Sequence, residues 1–132
     1  MLRGAVAGPA AERRSPKFID MADKPGYYKG RHFVTYDGDV EKLKRKGNLK
    51  GAEALLLQLV AATEAESKAT GCGVVPWYYE ELAKIYRKRK DRKSEIAILE
   101  RFAKKKHPPG AESQMESQIL IDRLKRAKQL KG

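Results

Sequence analysis

Cysteine and histidine are scarce in this 132-residue sequence, which has one cysteine, Cys72, and two histidines, His32 and His107. A single cysteine cannot form an intramolecular disulfide, and the three residues lack the spacing of a zinc site. The histidines stand on separate irregular segments, and Cys72 lies between glycines without a neighbouring base, so a Cys–His nucleophile has little support. We predict no metal, no cofactor and a reducing, cytoplasmic setting.

Catalytic motifs and long apolar runs are also missing. The sequence contains no glycine-rich phosphate loop and no nucleophile elbow. Its paired carboxylates, Glu64 with Glu66 and Glu80 with Glu81, diverge when placed one or two positions apart on a helix. The longest apolar stretch, 52–62, is far shorter than the about 20 residues that cross a bilayer. We therefore predict a non-enzymatic protein without a membrane-spanning helix.

Positive charge, in contrast, is abundant. The chain has 29 Lys and Arg against 17 Asp and Glu, a formal net charge of +12 and a pI of about 9.9. Such an excess attracts nucleic acid and other polyanions at long range. The length fits one domain, and the hydrophobic residues, 41% of the chain, are concentrated in periodic runs.

The first thirty residues differ in character from the rest. They contain several glycines and prolines and little periodic hydrophobicity, so we predict an irregular, mobile arm at 1–30 ahead of a single helical domain at 31–132. Residues 31–36 are either a short extended piece or the opening of the first helix. Met21 offers a second start of translation, which the intact mass of the natural protein would distinguish from Met1.

Helical periodicity runs from Asp39 almost to the C terminus. Breaks near 47–48, 71–76, 90–92 and 107–110 divide this part of the chain into five helices. The second, containing the apolar run 52–62, is expected to be the most buried. The last, from about Ser113 to Leu130, carries apolar residues on one broad side: Met115, Ile119, Leu120, Leu124 and Ala127. That side suits a helix that caps a helical stack.

Two stretches resemble tetratricopeptide repeats. Residues 47–56, GNLKGAEALL, are similar to the turn and second helix of one unit, and residues 82–86, LAKIY, to the first helix of the next. The likeness extends through residues 95–102 and ends near Pro108. It implies an all-α fold of antiparallel helix pairs with a C-terminal capping helix.

The sequence departs from the repeat pattern at three points. Lys90 replaces the usual turn glycine, Glu95 stands where a small alanine is expected, and the two turns lie 43 residues apart against about 34 in the standard repeat. The run 75–88 also resembles segments of short uncharacterised bacterial and phage-borne proteins, a resemblance that implies no activity.

The densest basic feature places seven cations within ten positions: Lys84, Arg87, Lys88, Arg89, Lys90, Arg92 and Lys93. Around an inter-helix turn they would meet several phosphates at once, and affinity would fall with salt. The basic residues between 42 and 50 are predicted to lie along the same edge. The alternative interpretation is a solvated face that only confers solubility.

Aromatic residues give two further candidate surfaces. Between 27 and 33 they alternate with cations, which suits either base stacking or an arm that packs on the first helix. Tyr78 shares the apolar stripe of the third helix, which leaves Trp77 and Tyr79 as candidates for an exposed peptide-binding groove.

The favoured hypothesis is a protein-interaction adaptor that binds an acidic peptide or protein segment through Trp77, Tyr79, Arg87 and Lys88. The alternative is a nucleic-acid-binding accessory protein without sequence specificity, which uses the Lys84–Lys93 cluster. A short helical stack can also form a homodimer through an exposed apolar end.

Overall fold

The computed structural model describes residues 24–130, so the expectations for residues 1–23 lie outside the described part. Its first elements are two short strands, β1 (Tyr27–Tyr28) and β2 (Arg31–His32), which pair antiparallel. A 3-10 helix, Phe33–Tyr36, follows directly. Residues 27–32 thus form a hairpin at the junction of the predicted arm and domain.

Five α-helices follow within the described residues: α1 (Asp37–Arg45), α2 (Leu49–Thr70), α3 (Pro76–Lys88), α4 (Arg92–Ala103) and α5 (Ala111–Gln129). The predicted all-α class and the number of helices are confirmed. The tetratricopeptide-like arrangement of antiparallel pairs stays a prediction.

Local chemistry explains where the helices begin. The side chains of Asn48 and Asp91 cap α2 and α4 by accepting hydrogen bonds from the amides of Gly51 and Ser94. Pro76 occupies the first turn of α3, where a missing amide hydrogen has no cost.

The core lies around α2 and α3. Leu56, Leu59 and Val60 of α2 are fully buried. Leu82 and Ala83 of α3 are equally buried. The prediction that the second helix is the most buried is wrong, because α3 lies between α2 and α4 and buries eight of its 13 residues, whereas α2 buries seven of 22. Helix α3 packs against both α2 and α4, and α4 packs against α5. No helix between residues 24 and 130 is long and apolar enough to cross a membrane.

Helix α5 buries a narrower face than its sequence predicts. Leu120, Leu124 and Ala127 are buried, but Met115 and Ile119 are 66% and 49% exposed. Ser117 completes the buried stripe. The inclusion of Met115 and Ile119 on the packed side is therefore wrong, because the stripe that meets α4 runs through residues 117, 120, 124 and 127.

Two connections meet at the end of the molecule where α3 begins. The amide of Val74 donates to the carbonyl of Lys106 over 2.9 Å. A side chain at Gly73, whose φ is +88°, would meet the backbone of His107 and Pro108 at 2.5 to 2.9 Å. Only glycine fits there, since the conformation and the space both exclude a Cβ atom.

Candidate polyanion-binding surface

A contact between α2 and α3 brings two basic turns together. Arg89, beside the last residue of α3, donates to Glu53 in the second turn of α2 over 2.6 Å. The Tyr86 hydroxyl donates to the other oxygen of Glu53 over 2.9 Å. Lys44 of α1 forms an ion pair with Glu81 of α3. The turn that precedes α2 therefore lies beside the turn between α3 and α4.

We call residues 41–53 and 81–95 the basic end. These segments contain twelve Lys or Arg residues and five Asp or Glu residues, so positive charge is in clear excess. The predicted proximity of the two basic groups agrees with the Arg89–Glu53 and Lys44–Glu81 pairs.

Several cations of the predicted cluster are paired with carboxylates of the protein. Arg87 pairs with Glu95, Arg89 with Glu53, and Lys84 with Glu81 over 3.4 Å. Lys88, Lys90 and Lys93, in contrast, are exposed and form no ion pair with another described residue. Arg92 is half-buried beside them. The cluster thus combines structural and available cations.

Glu95, in the first turn of α4, is the acidic partner of Arg87 in this cluster. Its carboxylate, 0% exposed, accepts from Arg87 Nε at 3.0 and 3.2 Å and lies 3.6 Å from Arg123 Nε of α5. A cleft of about 420 Å³ opens in front of it, lined by Arg87, Lys90, Arg92 and Glu95. We call this the Glu95 cleft. A buried carboxylate is stable here because cations and hydrogen bonds replace water.

Lys90 adopts a left-handed backbone conformation, with φ of +61°, at the rim of this cleft. This is the position where the resembling repeat has glycine. An L-residue with a β carbon is strained in this region, and glycine is not. The turn therefore tolerates Lys90 at a conformational cost.

The structure contradicts an exposed position for Tyr79. Its side chain is 0% exposed, and its hydroxyl donates to Glu64 over 2.8 Å. Burial, followed by the hydrogen bond to Glu64, raises the pKa of Tyr79 well above its ordinary value. The expectation that this ring lies open in a groove is wrong, because the ring packs between α2 and α4, against Phe102.

Trp77 is half-buried and packs its ring edge-on against Tyr78 at 5.1 Å. It stands in the first turn of α3, whereas Arg87 and Lys88 stand in the last turn. Ten residues of helix separate Trp77 from Arg87, a rise of about 15 Å. The residues predicted to bind a partner are therefore not gathered at one place.

The aromatic residues near the N terminus pack on one another. The Tyr28 and Tyr36 rings lie 5.6 Å apart, and the Tyr36 hydroxyl donates to the Tyr28 carbonyl over 2.6 Å. The Phe33 ring is buried edge-on against Tyr78. This arrangement agrees with the interpretation of an arm that packs on the body.

Sequence reasoning missed the buried carboxylates. Glu81, which the sequence offers only as a neighbour of Glu80, is 4% exposed and pairs with Lys44. Glu53 and Glu64 each accept from a tyrosine of α3 and an arginine near the ends of α3 and α4. Their signal in the sequence is their spacing, because eleven positions put Glu53 and Glu64 on one face of α2.

The residues considered for nucleophilic chemistry have separate local partners. His32 Nε2 lies 2.8 Å from Glu66, His107 Nε2 donates to the Phe102 carbonyl, and Cys72 contacts the carbonyl of Gly73. No group of three or more His, Cys, Asp or Glu residues in the described chain could hold a metal ion.

Comparison of the chain with protein-family models, with curated proteins and with solved structures gave no match. The basic end, with its geometry and excess of positive charge, is the feature of the described residues that points to a function.

Proposed function

We propose that the protein binds nucleic acid without sequence specificity through its basic end. The observation that carries this proposal is the Arg89–Glu53 contact, because it sets two groups of exposed cations side by side. One group lies around the α1–α2 turn and the other around the α3–α4 turn: Lys42, Arg45, Lys46 and Lys50; Lys88, Lys90 and Lys93. Phosphate groups spaced along a strand would contact both.

The side chains available favour contact with the phosphate backbone over contact with bases. Lysine and arginine bind phosphates regardless of sequence, whereas base stacking needs an exposed aromatic ring. Tyr86, the aromatic residue of the basic end, is buried with its hydroxyl bound to Glu53. We therefore expect affinity to depend on charge and strand length and very little on sequence.

The test is fluorescence polarisation with labelled single-stranded and duplex oligonucleotides across a series of salt concentrations. Each phosphate contact on a single strand contributes about 0.7 to the slope of log K against log salt. The double variant Lys46→Ala with Lys88→Ala removes one exposed cation from each turn. It should bind more weakly and reduce the slope by about 1.4.

A matched control removes the same charge at the opposite end of α3. Lys104 and Lys106 are exposed, and the carbonyl of Lys106 accepts from Val74, just ahead of α3. Lys104→Ala with Lys106→Ala should keep the slope of the unmodified protein. If both double variants weakened binding equally, attraction would come from total charge and the proposed surface would be rejected.

Arg87 and Arg89 are unsuitable for this first test. Each pairs with a buried or half-buried carboxylate, and its neutralisation would leave that carboxylate without its cation. Breaking such a pair destabilises a protein by several kcal/mol, about 3 to 5 when the pair is fully buried. Lost binding would then report unfolding.

Binding of an acidic protein segment is the second candidate function, and a pair of clefts favours it. Leu57, Ala97 and Arg101 line a cleft of about 200 Å³ along α2 and α4. A second, of about 730 Å³, combines small residues of α2 with four lysines: Lys68, Lys104, Lys105 and Lys106. A glutamate-rich helical peptide that bound here would lose affinity in the Lys104 and Lys106 double variant, opposite to the nucleic-acid result.

A further inference from the structure

We infer that the Glu95 cleft binds the terminal phosphomonoester of a nucleic-acid strand. The inference rests on the proposed function and adds a preferred chemical group to it: a strand end that carries a free phosphate. Internal phosphodiesters would contact the exposed lysines of the basic end, while a terminal phosphate would enter the cleft.

Arg87 is held in position at the cleft by Glu95. Its Nε donates to both oxygens of Glu95, and the Glu95 side chain is buried. Neither terminal guanidinium nitrogen of Arg87 has a hydrogen bond to another described residue, and the side chain is 43% exposed at the cleft. An arginine that is already oriented loses little conformational freedom when it binds an anion, and its two terminal nitrogens suit a phosphate.

The charge of the cleft also favours a strand end. Arg87 and Lys90 line the cleft, and Arg123 stands behind Glu95, so three cations lie around one carboxylate without counting Arg92. A phosphomonoester carries a charge of about −1.5 to −2 near neutral pH and three acceptor oxygens. An internal phosphodiester carries one negative charge. The cleft is therefore better matched to the terminal group.

The size of the cleft also favours a strand end. A volume of about 420 Å³ admits a phosphate with the sugar attached to it. An internal phosphate has a sugar on both sides and would have to lie across the opening.

The backbone conformation of Lys90 also points to a binding site. This residue keeps a side chain at a left-handed position that would be relaxed with glycine, and this side chain lies at the cleft rim. Strained residues of this kind cluster at binding sites. Lys90→Gly therefore removes a cation of the site while it suits the backbone, so weaker binding together with unchanged or higher stability is assigned to the lost cation.

The experiment compares three oligonucleotides of equal length and sequence, labelled at an internal base, with a 5′-phosphate, a 3′-phosphate or hydroxyl groups at both ends. We expect the full-length protein to bind at least one phosphate-ended strand about tenfold more tightly than the hydroxyl-ended strand. The two phosphate arms show which end enters the cleft. Inorganic phosphate should reduce the difference by competition.

Variants assign the difference to the cleft. Lys90→Gly and Arg87→Lys should reduce the tenfold ratio to about threefold or less, since one removes a donor and the other removes the guanidinium fork. Lys88→Ala is the matched control, because Lys88 is exposed beside the cleft without lining it. It should weaken binding to all three strands and leave their ratio unchanged. Thermal unfolding of each variant checks that the protein is folded.

The outcomes separate this inference from the proposed function. Equal affinity for phosphate and hydroxyl ends overturns the cleft assignment and leaves nucleic-acid binding intact. A ratio that survives both cleft variants also overturns it. Absence of binding to every strand at low salt overturns the proposed function itself.

Discussion

Glu64 shows how single side chains hold this fold together. Its carboxylate accepts from the Tyr79 hydroxyl and from two nitrogens of Arg101, each over 2.8 Å. Burial raises the pKa of this carboxyl, but the hydrogen bonds from Arg101 and Tyr79 outweigh burial and hold the pKa below its ordinary 4.5. The folded state therefore favours the ionised carboxylate of Glu64. Through its two partners, Glu64 links α2 to α3 and α4.

A pH dependence follows from the direction of that shift. A carboxyl with a lower pKa in the folded state stabilises the fold above the unfolded value of 4.5, and this contribution is lost as the pH falls through the folded pKa. We predict that urea midpoints of the unmodified protein decrease below about pH 4.5, and that Glu64→Gln flattens part of the decrease.

The control for this measurement is Glu112→Gln, which alters an exposed carboxylate in the first turn of α5. Near neutral pH, Glu64→Gln should cost about 1 kcal/mol and the control much less. An unchanged acid response in Glu64→Gln would show that the Tyr79–Glu64–Arg101 network does not contribute to acid stability.

Lys90 leads to a prediction about stability alone. With φ of +61°, its backbone is strained, and Lys90→Gly should raise the free energy of unfolding by about 0.5 kcal/mol. The matched change Lys93→Gly, in the first turn of α4, should lower it by about 0.5 kcal/mol. Chemical denaturation of both variants checks the difference in sign. A loss of stability in Lys90→Gly would mean that the lysine side chain contributes more than its backbone costs.

At the scale of elements, helix boundaries were predictable because their signals are local. Gly47 with Asn48 ends the first helix and caps the second, and Pro76 and Asp91 mark the starts of α3 and α4. Each of these effects depends on neighbours within a few residues. The predicted all-α class and five helices followed from them and from the apolar periodicity.

The cap of α2 can be tested directly. Asn48 Oδ1 accepts from the Gly51 amide over 2.9 Å, and Asn48→Ala leaves that amide to water. We predict a loss of about 1 kcal/mol in the free energy of unfolding, measured by circular dichroism in urea. Asn48→Asp keeps an acceptor and should retain most of the stability. Equal losses in both variants would show that the amide of Gly51 does not need a side-chain acceptor.

Helix α5 shows the limit of periodicity. Met115 and Ile119 belong to the apolar side in sequence but are largely exposed, since the orientation of a helix depends on the surface it meets. We predict that Met115→Gln with Ile119→Gln changes the free energy of unfolding by less than about 0.5 kcal/mol. Leu120→Ala should cost about 2 to 5 kcal/mol, because it opens a cavity against the core. A large loss in the first variant would indicate that this face is covered in solution.

At the scale of the whole molecule, the excess of positive charge opposes folding as well as attracting polyanions. The cations of the basic end repel one another, and salt screens that repulsion as the Debye length falls from about 30 Å to about 8 Å between 0.01 and 0.15 M. We predict that stability rises by about 1 kcal/mol over this range. Urea denaturation at the two salt concentrations measures it, and a decrease would mean that ion pairs such as Arg89–Glu53 outweigh the repulsion.

The basic end was partly predictable from sequence, whereas the burial of Tyr79 was not. Counting charges located the cluster, since the number of cations does not depend on the fold. Which cations are available depends on tertiary partners, and Glu53, Glu81 and Glu95 occupy Arg89, Lys44 and Arg87 from distant or separate helices. Tyr79 is buried for the same kind of reason, because its ring packs against Phe102 of α4 and its hydroxyl binds Glu64 of α2.

The close approach of Gly73 to the backbone of His107 and Pro108 has a consequence for how this chain can be re-engineered. Two connections that press on each other cannot be lengthened independently, so an inserted peptide or new chain termini at either one would separate both. A Cβ atom at Gly47, in the separate turn between α1 and α2, would meet nothing within 4 Å. Insertion of a peptide or a domain should therefore succeed at Gly47 and fail at Gly73.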